Sequence, residues 1–275
     1  MYTIADLQAV MARLRDPEGG CPWDLQQSFK TIAPSTIEEA YEVADAIERD
    51  DLKHLPEELG DLLFQVIFYS QLGEEQSLFT FEEIVHTIVS KLLRRHPHVF
   101  PSGQLNGEST QTTALDQAQV KENWEAIKAE ERSSKGLASI VDDVPVGLPA
   151  LSRAQKLQKR LARAGWDWQA VAELLDKLDE EVAELKAALA EAEQAENSLG
   201  ADPHVVEELG DVLFMAVNLA RFLDIDAENC LRAGNRKFES RVKFIERQLA
   251  NQGQSFTEAS SGALEVLWQQ AKSYD

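Results

Sequence analysis

The stretch EELGDLLF at residues 57–64 returns almost unchanged as EELGDVLF at residues 207–214. On a helical wheel, each copy has apolar residues on nearly every side and one acidic pair whose members are three residues apart. This spacing places both acids of a pair on the same side of a helix. The two stretches therefore predict two equivalent helices that are largely covered by protein and that each carry a pair of carboxylates.

The similarity between the two halves extends far beyond these helices. Trp23-Asp24 corresponds to Trp166-Asp167, and the acidic run EEAYE at 38–42 corresponds to EEVAE at 180–184. Two basic pairs and two tryptophan–lysine pairs also recur, namely Lys91 and Arg95 with Lys237 and Arg241, and Trp124 and Lys128 with Trp268 and Lys272. Self-similarity at a nearly constant offset indicates two copies of one structural module.

Helix-favouring residues fill nearly all of the chain. Glycine and proline are scarce, at 14 and 9 residues, and no segment alternates as a strand would. We therefore predict an all-α fold, a tandem repeat of two helical-bundle modules at 1–131 and 150–275, joined by a linker at 132–149. The predicted helices span 3–15, 36–49, 56–73, 81–95, 114–131, 149–164, 168–196, 203–223, 227–250 and 258–273.

Local signals mark the starts of several predicted helices. Ser35 and Thr80 each stand three residues before a glutamate, a pattern typical of a capping box. Asp202 precedes a proline that suits the first position of a helix. We expect these three residues to be N-terminal caps.

Charge and composition narrow the partners and the compartment. The chain of 275 residues has 48 acidic and 27 basic residues, a net charge of -21, which argues against nucleic acid or an anionic membrane as a partner and favours metal cations. No secretion signal or long apolar segment is evident, so we predict a cytoplasmic location. Cys21 and Cys230 are too far apart in sequence for a redox motif and are expected to be reduced structural thiols.

The repeated acids have the spacing of a metal site. Each module offers two glutamates three apart on one helix and an acidic pair on the next. Unpaired carboxylates that become buried are costly or take up protons, so a cation is expected to meet them. Ligands that are all oxygens suit Mg²⁺ or Mn²⁺ better than zinc. The acidic pattern therefore predicts a site for one or more divalent ions in each module.

The repeated basic and aromatic residues suit a phosphate chain attached to a base. Each module has a lysine and an arginine four residues apart, which supply positive charge to a polyphosphate. Each also has a tryptophan, followed four residues later by lysine, that offers an aromatic face to a base. The predicted nucleotide-binding residues are Lys91, Arg95, Trp124 and Lys128 in the first module and Lys237, Arg241, Trp268 and Lys272 in the second.

Together these motifs resemble the MazG family of all-α nucleoside triphosphate pyrophosphohydrolases. The resemblance rests on EExxE, a spacer and ExxD within the ELGDLLF context, and it includes CPWD at 21–24, RRHPHVF at 94–100 and NRKFESR at 235–241. It covers nearly the whole chain and is closest to the full-length type with two modules. It implies Mg²⁺-dependent hydrolysis of nucleoside triphosphates between the α and β phosphates. By this likeness the metal ligands are Glu39, Glu42, Glu58 and Asp61 in the first module and Glu181, Glu184, Glu208 and Asp211 in the second. Lys177 joins the nucleotide-binding residues of the second module.

The resemblance also implies a mechanism of hydrolysis. Metal ions in such a site neutralise the phosphates and lower the pKa of a water molecule. Glu38 or Glu180, beside the ligands, is the candidate that positions or deprotonates this water. Phosphoryl chemistry of this kind depends mainly on positioning and charge neutralisation, so no covalent nucleophile is expected.

The two modules are not equivalent in sequence. His96-Pro97 should end the basic helix of the first module just after Arg95, whereas the corresponding helix of the second can continue past Arg241. We therefore predict that the second module is the better catalyst. On this basis Glu208→Ala should remove more activity than Glu58→Ala.

Three other classes of protein share part of the pattern. A non-catalytic acidic interaction protein would use the acids only for solubility. A di-iron carboxylate bundle needs two ExxH motifs, and only 83–86 fits. A Nudix box is partly matched at 53–60, but His54 replaces its first glutamate and the strands of that fold are not predicted. Assaying nucleoside triphosphates with Mg²⁺ separates these classes from the preferred one.

The apolar helix faces also bear on the oligomeric state. About five helices in a module cannot cover helices that are apolar on nearly every side. We therefore predict a homodimer, in agreement with what the family resemblance implies.

Overall fold

The computed structural model of the chain describes residues 1–107, 116–134, 136, 139–195 and 198–273. Over these residues the chain is helical and has no strand. It divides into two compact units, which we call unit 1 (Met1–Lys128) and unit 2 (Ala129–Asp275). The predicted all-α class, with two helical modules in tandem, is confirmed.

The structure does not test the predicted limits of the modules and the linker. Helix α6 (Gln117–Ser134) runs through the point that divides the units. Residues 135, 137 and 138 of the predicted linker and residues 108–113 before α6 lie outside the described residues. The limits 1–131 and 150–275, with the linker 132–149, stay a prediction.

Unit 1 is built around its fourth helix. Its helices before α6 are α1 (Ile4–Leu14), α2 (Pro22–Leu25), α3 (Phe29–Glu48), α4 (Leu55–Glu75) and α5 (Phe81–Arg95). α1, α3 and α5 all pack against α4. The fully buried core consists of Met11, Ile32, Ile67, Phe68 and Leu72. This packing sets α3, with its EExxE run, beside α4, with its ExxD pair.

Unit 2 repeats this plan around its third helix. Its helices are α7 (Ala150–Arg163), α8 (Val171–Gln194), α9 (Pro203–Phe222), α10 (Ala227–Asn251) and α11 (Ser261–Lys272), with a 3₁₀ turn at Leu199–Ala201. α7 and α8 pack on α9, and α10 packs mainly on α11 and α7. Buried residues form two small clusters, Ala188 with Ala192 and Val205, and Ile245 with Leu249 and Leu267. The α8–α9 pair carries the second set of acids.

Most helix ends follow the local sequence signals. The Thr80 hydroxyl accepts a hydrogen bond from the Glu83 backbone N–H, and the Glu83 carboxylate accepts one from the Thr80 N–H. The Asp202 side chain accepts from two backbone N–H groups at the start of α9. α5 ends at Arg95, whereas α10 continues to Asn251. These two caps and the difference between the two basic helices are confirmed.

The predicted start of α3 at residue 36, with Ser35 as its cap, is wrong. The helix begins seven residues earlier, at Phe29, where Ser28 and Thr31 form a capping box. It runs through Pro34, although an interior proline costs a helix about 3 kcal/mol. Ile32 is buried, and the Phe29 ring stacks on Tyr69. Because these contacts require the earlier turns, packing outweighs the proline.

The other predicted helices agree with the structure to within three residues at each end. Residues 114, 115 and 196 of the predicted helices lie outside the described residues. The short helix α2 in the CPWD segment and the 3₁₀ turn before α9 were not predicted. Both are brief turns without the periodicity that identifies longer helices.

The expectation that α4 and α9 are largely covered by protein holds for α4, where residues 62–73 are all buried or half-buried, but it is wrong for α9 in the single chain. Leu209 and Leu213 on α9 are 48 % and 53 % exposed, and Leu59 on α4 is 48 % exposed. α9 is covered mainly by α7 and α8, which leaves one of its faces bare. Every helix in the described part of the chain is too short or too polar to cross a membrane. The cytoplasmic location stays a prediction.

Candidate metal and nucleotide site

Three carboxylates meet between α8 and α9 of unit 2. One oxygen each from Glu181, Glu184 and Glu208 lie within 4.8 Å of one another. Glu181 is buried, Glu208 is half-buried and Glu184 is exposed, so the group opens to solvent on one side. Asp211, predicted as the fourth ligand, lies outside this group and is exposed one turn after Glu208. Three of the four predicted acids of this module are therefore together.

The fold brings these acids together in a simple way. Two of them are three residues apart on α8 and so project from the same face. The third is in the second turn of α9, a helix whose start is fixed by the Asp202 cap. Close packing of α8 on α9 then closes the distance between residues far apart in sequence.

A lysine from the preceding turn of α8 compensates part of this negative charge. Lys177 Nζ lies 2.9 Å from Glu180 Oε1 and 3.0 Å from Glu181 Oε1. These two hydrogen bonds raise the pKa of Lys177 above its ordinary value. Glu180, the predicted water-positioning residue, is exposed at the edge of the group. Lys177, predicted only from the family resemblance, is thus in contact with the acids.

The charge balance of the group is still negative. Burial is the main cause that raises the pKa of Glu184, and the charges of Glu181 and Glu180 add to it. Lys177 opposes this shift but does not cancel it. His204 Nε2 lies 3.1 Å from Glu208 Oε1, a contact that the sequence did not predict. A carboxylate whose ionised form is disfavoured in this way is suited to binding a cation.

The acids of unit 1 are arranged differently. Burial raises the pKa of Glu39 most, followed by a hydrogen bond shared with Glu42 and the charges of Asp61 and Glu42. Gln65 Nε2 lies 3.5 Å from Glu39 Oε1 and lowers this pKa slightly. Glu58 and Glu38 are not among the groups that shift it. Within residues 1–107, no three of these acids bring oxygens within 4.8 Å of one another.

The predicted basic and aromatic residues of unit 2 form a second group on α10 and α11. The Arg241 guanidinium lies 5.4 Å from the centre of the Trp268 ring, and the Phe238 ring lies 5.7 Å from it. Lys237 and Lys272 are exposed on the same two helices. Arg241 therefore packs over the ring that was predicted to stack on a base.

Unit 1 shows a similar arrangement at its tryptophan. Lys128 Nζ lies 3.7 Å from the centre of the Trp124 ring, so a neighbouring cation covers one of its faces. Lys91 and Arg95 are half-buried on the last turns of α5. The single ExxH motif takes no part in a metal group, because Glu83 caps α5 and His86 lies beside Ser90. The di-iron interpretation thereby loses its only motif.

One ion pair in unit 2, whose arginine side chain is largely buried, was not predicted from the sequence. Arg221 Nη1 and Nη2 donate to the two carboxylate oxygens of Asp167, at 3.1 and 2.5 Å. Hydrogen bonding from Arg221 is the main cause that lowers the pKa of Asp167. The repeat of Trp23-Asp24 as Trp166-Asp167 was the available signal, but it did not identify the partner.

Comparison with known proteins identifies the family. Residues 27–100 and 169–245 match the MazG nucleotide pyrophosphohydrolase domain. The chain belongs to the MazG family. Over 99 % of its length it is 47 % identical to 98 % of a nucleoside triphosphate pyrophosphohydrolase of Escherichia coli K12. It is 38 % identical over 98 % of its length to 96 % of a Thermotoga maritima protein named nucleoside triphosphate pyrophosphohydrolase/pyrophosphatase MazG.

The two MazG segments contain both sets of acids. The first segment contains α3, α4 and α5. The second contains α8, α9 and α10 as far as residue 245. Membership of the MazG family implies the use of a divalent metal, and three oxygens from converging carboxylates are ligands that such an ion accepts. α7, Trp166 and Trp268 lie outside the matched segments.

Proposed function

We propose that this MazG protein hydrolyses nucleoside triphosphates between the α and β phosphates, releasing a nucleoside monophosphate and pyrophosphate. The proposal names Mg²⁺ as the ion, with Mn²⁺ as a substitute, because the converging ligands are all carboxylate oxygens. The observation that carries it is the carboxylate group between α8 and α9. Support comes from full-length relatives that are named for this activity.

In this proposal, Glu181, Glu184 and Glu208 hold the ion, and Asp211 completes the set from the next turn of α9. The raised pKa of Glu184 supports this role, because an ion would replace the proton that burial and neighbouring charges favour. A bound Mg²⁺ supplies charge neutralisation at the phosphate oxygens and lowers the pKa of a water molecule. Glu180, exposed beside the group, would accept a hydrogen bond from that water and orient it.

The basic residues of unit 2 would bind the nucleotide on the side away from the ion. Lys177 is already within 3.0 Å of Glu181 and would direct its charge to a phosphate oxygen. Lys237, Arg241 and Lys272 would add positive charge from α10 and α11. Packing of Trp268 beneath the guanidinium of Arg241 supports a fixed position for that charge.

Unit 1 is proposed as a second and weaker site. Its ligands would be Glu39, Glu42, Glu58 and Asp61, with Glu38 in the water-positioning role. The nucleotide contacts would come from Lys91, Arg95, Trp124 and Lys128. The looser arrangement of its acids supports the lower activity proposed for this unit.

We also propose that the protein is a homodimer. The bare face of α9, where Leu209 and Leu213 are exposed one turn apart, supports an interface with a second copy. Apolar faces of this kind are typical of helical bundles completed by oligomerisation. Light scattering at micromolar concentration tests this part of the proposal, and a monomer would contradict it.

The activity is tested with the full chain and a panel of nucleoside triphosphates. We expect monophosphate and pyrophosphate as products by ³¹P NMR, with Mg²⁺ required and EDTA inhibitory. Glu181→Gln should abolish most of this activity and remove the rise in melting temperature that Mg²⁺ gives to the wild type. Glu193→Gln, at an exposed site further along α8, is the matched control. Diphosphate with inorganic phosphate, or no turnover with any metal, would contradict the proposal.

A further inference from the structure

Unit 2 contains a cleft of about 790 Å³ that the proposed metal chemistry does not use. It lies among α7, the segment that precedes α8, and α9. Its apolar lining includes Leu157, Leu161, Trp166, Trp168, Phe214 and Met215. Small-molecule sites in proteins usually have volumes of roughly 300 to 1,000 Å³ and this apolar, aromatic character.

The rim of the cleft is held in place by polar contacts. Asp167, between the two tryptophans, forms the bidentate pair with Arg221 described above. Arg221 Nε in turn donates to Asn218 Oδ1 at 2.7 Å. On the opposite rim, Arg160 on α7 donates to backbone carbonyls of Asp142 and Asp143, next to the cleft residue Val141. The tryptophans are therefore presented by a fixed segment.

Two polar atoms of residues in the lining have no hydrogen-bond partner among the residues that the structure describes. Gln158 is 6 % exposed and its Nε2 donates to the Phe214 carbonyl at 2.8 Å, but its Oε1 accepts from no group in the described part of the chain. Arg153 Nε is also buried without a hydrogen-bond acceptor among the described residues. Buried polar groups are nearly always paired, so an unused acceptor and an unused donor in one cleft point to a ligand.

We propose that this cleft binds a planar heteroaromatic ring, the base of a nucleotide. The ring would stack on Trp166 or Trp168, because every base offers a π face to an aromatic side chain. An N–H of the base would donate to Gln158 Oε1, and a ring nitrogen or carbonyl oxygen would accept from Arg153 Nε. All the common bases carry a donor beside an acceptor on one edge.

The position of the cleft fits a base from either of two sources. Glu173 lines the cleft and precedes the metal ligand Glu181 by two turns of α8, about 12 Å along the helix. A substrate whose phosphates are held at the carboxylates can place its own base at such a distance. A second nucleotide can also bring the base. That the ring belongs to a nucleotide rests on the proposed function, whereas a site for a planar ring rests on the cleft alone.

Nucleosides without phosphates test the cleft independently of catalysis. Adenosine, guanosine, cytidine and uridine are titrated against the full chain in EDTA, with binding followed by saturation-transfer NMR. We expect saturable binding of at least one nucleoside, weakened about five- to hundredfold by Trp166→Ala. Gln158→Leu should weaken it as well. Trp166 is 76 % exposed, so its removal should leave the circular dichroism and the melting temperature unchanged.

The repeat offers a matched control. Trp23 corresponds to Trp166 in unit 1 and is 58 % exposed, so Trp23→Ala should not alter nucleoside binding. Binding that no variant changes, equal loss in Trp23→Ala, or no saturable binding would overturn the inference. So would a Trp166→Ala variant that shifts only the dissociation of a dimer, because a second copy would then cover the cleft.

Kinetics separate the two sources of the base. If the substrate's own base occupies the cleft, the nucleoside inhibits hydrolysis competitively, and Trp166→Ala raises KM by the factor seen in binding while kcat changes little. If a second nucleotide binds there, the nucleoside changes kcat without competing. Either pattern supports the inference. A protein that binds nucleosides but hydrolyses no triphosphate contradicts only the proposed function, and hydrolysis without nucleoside binding contradicts only the cleft.

Discussion

The two units carry the same acids but surround them with different neighbours. In unit 2, Lys177 stands one turn before Glu181 and contacts it. Ser35 occupies the corresponding position of unit 1. There the contact to the first glutamate comes instead from the neutral amide of Gln65, at a position where unit 2 has Met215. The acids are present in both units, whereas the lysine beside them is present only in unit 2.

This difference accompanies the convergence of three carboxylates in unit 2, which the acids within residues 1–107 do not show. A lysine within hydrogen-bond distance reduces the repulsion between acids, so three of them can share a small volume. An amide supplies one weak hydrogen bond and no charge. In unit 1, Glu39 and Glu42 share a hydrogen bond, and this contact raises the pKa of Glu39. The comparison predicts that unit 2 has the higher affinity for metal and the higher activity.

The largest expected effect comes from removing one ligand in each unit. Glu208→Ala should lower kcat/KM for pyrophosphate release by roughly a hundredfold or more, since even residues that only support metal ligands cost about ten- to hundredfold. Glu58→Ala should lower it by less than about tenfold, because this acid lies outside the interactions around Glu39.

Each of these variants has an exposed neighbour as its control. Glu207→Ala and Glu57→Ala each remove one negative charge from the same helical turn as the variant that they control for. Both should retain most activity. Equal losses from the two ligand variants, or a larger loss from Glu58→Ala, would refute the ordering of the units.

A smaller effect is expected from the lysine that distinguishes the units. Lys177→Ala should lower kcat/KM by about tenfold to a hundredfold, since one positive group at a phosphate is lost and the acids lose their compensation. Lys186→Ala, exposed further along α8, is the control. The reverse change, Ser35→Lys in a Glu208→Ala background, should raise the residual activity of unit 1 several-fold. No gain from Ser35→Lys would mean that unit 1 lacks more than this charge.

The sequence predicted the features that depend on periodicity and local chemistry. α5 was predicted to the residue because Thr80 caps its start and Pro97 follows its end. The acids of the second module were identified from spacings of three residues on successive helices. α3 shows the limit of such local signals, because Pro34 indicates a boundary that the burial of Ile32 overrides.

Features that depend on distant pairs were not predictable from one sequence. Arg221 and Asp167 are 54 positions apart, and nothing local distinguishes this arginine from those on exposed helix faces. The position of Asp211 outside the carboxylate group depends on how α9 packs against α8, which spacing alone does not determine. The cleft requires both α7 and the Trp166 segment, whose approach to α9 is tertiary information.

A second comparison of the two units concerns stability. Arg15 with Glu75 in unit 1 and Arg221 with Asp167 in unit 2 have the same side-chain exposures, 7 % for the arginine and 33 % for the acid. Arg15 also donates to the backbone carbonyls of Asp24 and Gln27. Arg15→Gln should therefore lower the free energy of unfolding by about 2 to 3 kcal/mol, and Arg221→Gln by about 1 to 2, since the acids are partly solvated. Calorimetry that gives the reverse order would contradict this assignment.

The same pairs predict the response to acid. Arg15 lowers the pKa of Glu75, and Arg221 lowers that of Asp167. A depressed pKa in the folded state contributes stability that is present above the ordinary carboxyl pKa and is lost as the pH falls through the folded value. The free energy of unfolding should therefore decrease below about pH 4. In Arg15→Gln and Arg221→Gln this decrease should be smaller, and an unchanged pH profile would mean that these pairs do not set it.

The smallest expected effect has the opposite sign and returns to the acids themselves. The pKa values of Glu39 and Glu184 are raised, so the stability they contribute is present below their ordinary pKa and lost as the pH rises through the raised values. Without metal at pH 7, Glu39→Gln should then raise the melting temperature by about one degree. Glu184→Gln should raise it less, because Lys177 already opposes the shift of that carboxyl. Added Mg²⁺ should reverse both effects, since it stabilises only the chain that keeps its ligands. A melting temperature that Mg²⁺ raises equally in the wild type and both variants would show that the ion binds elsewhere.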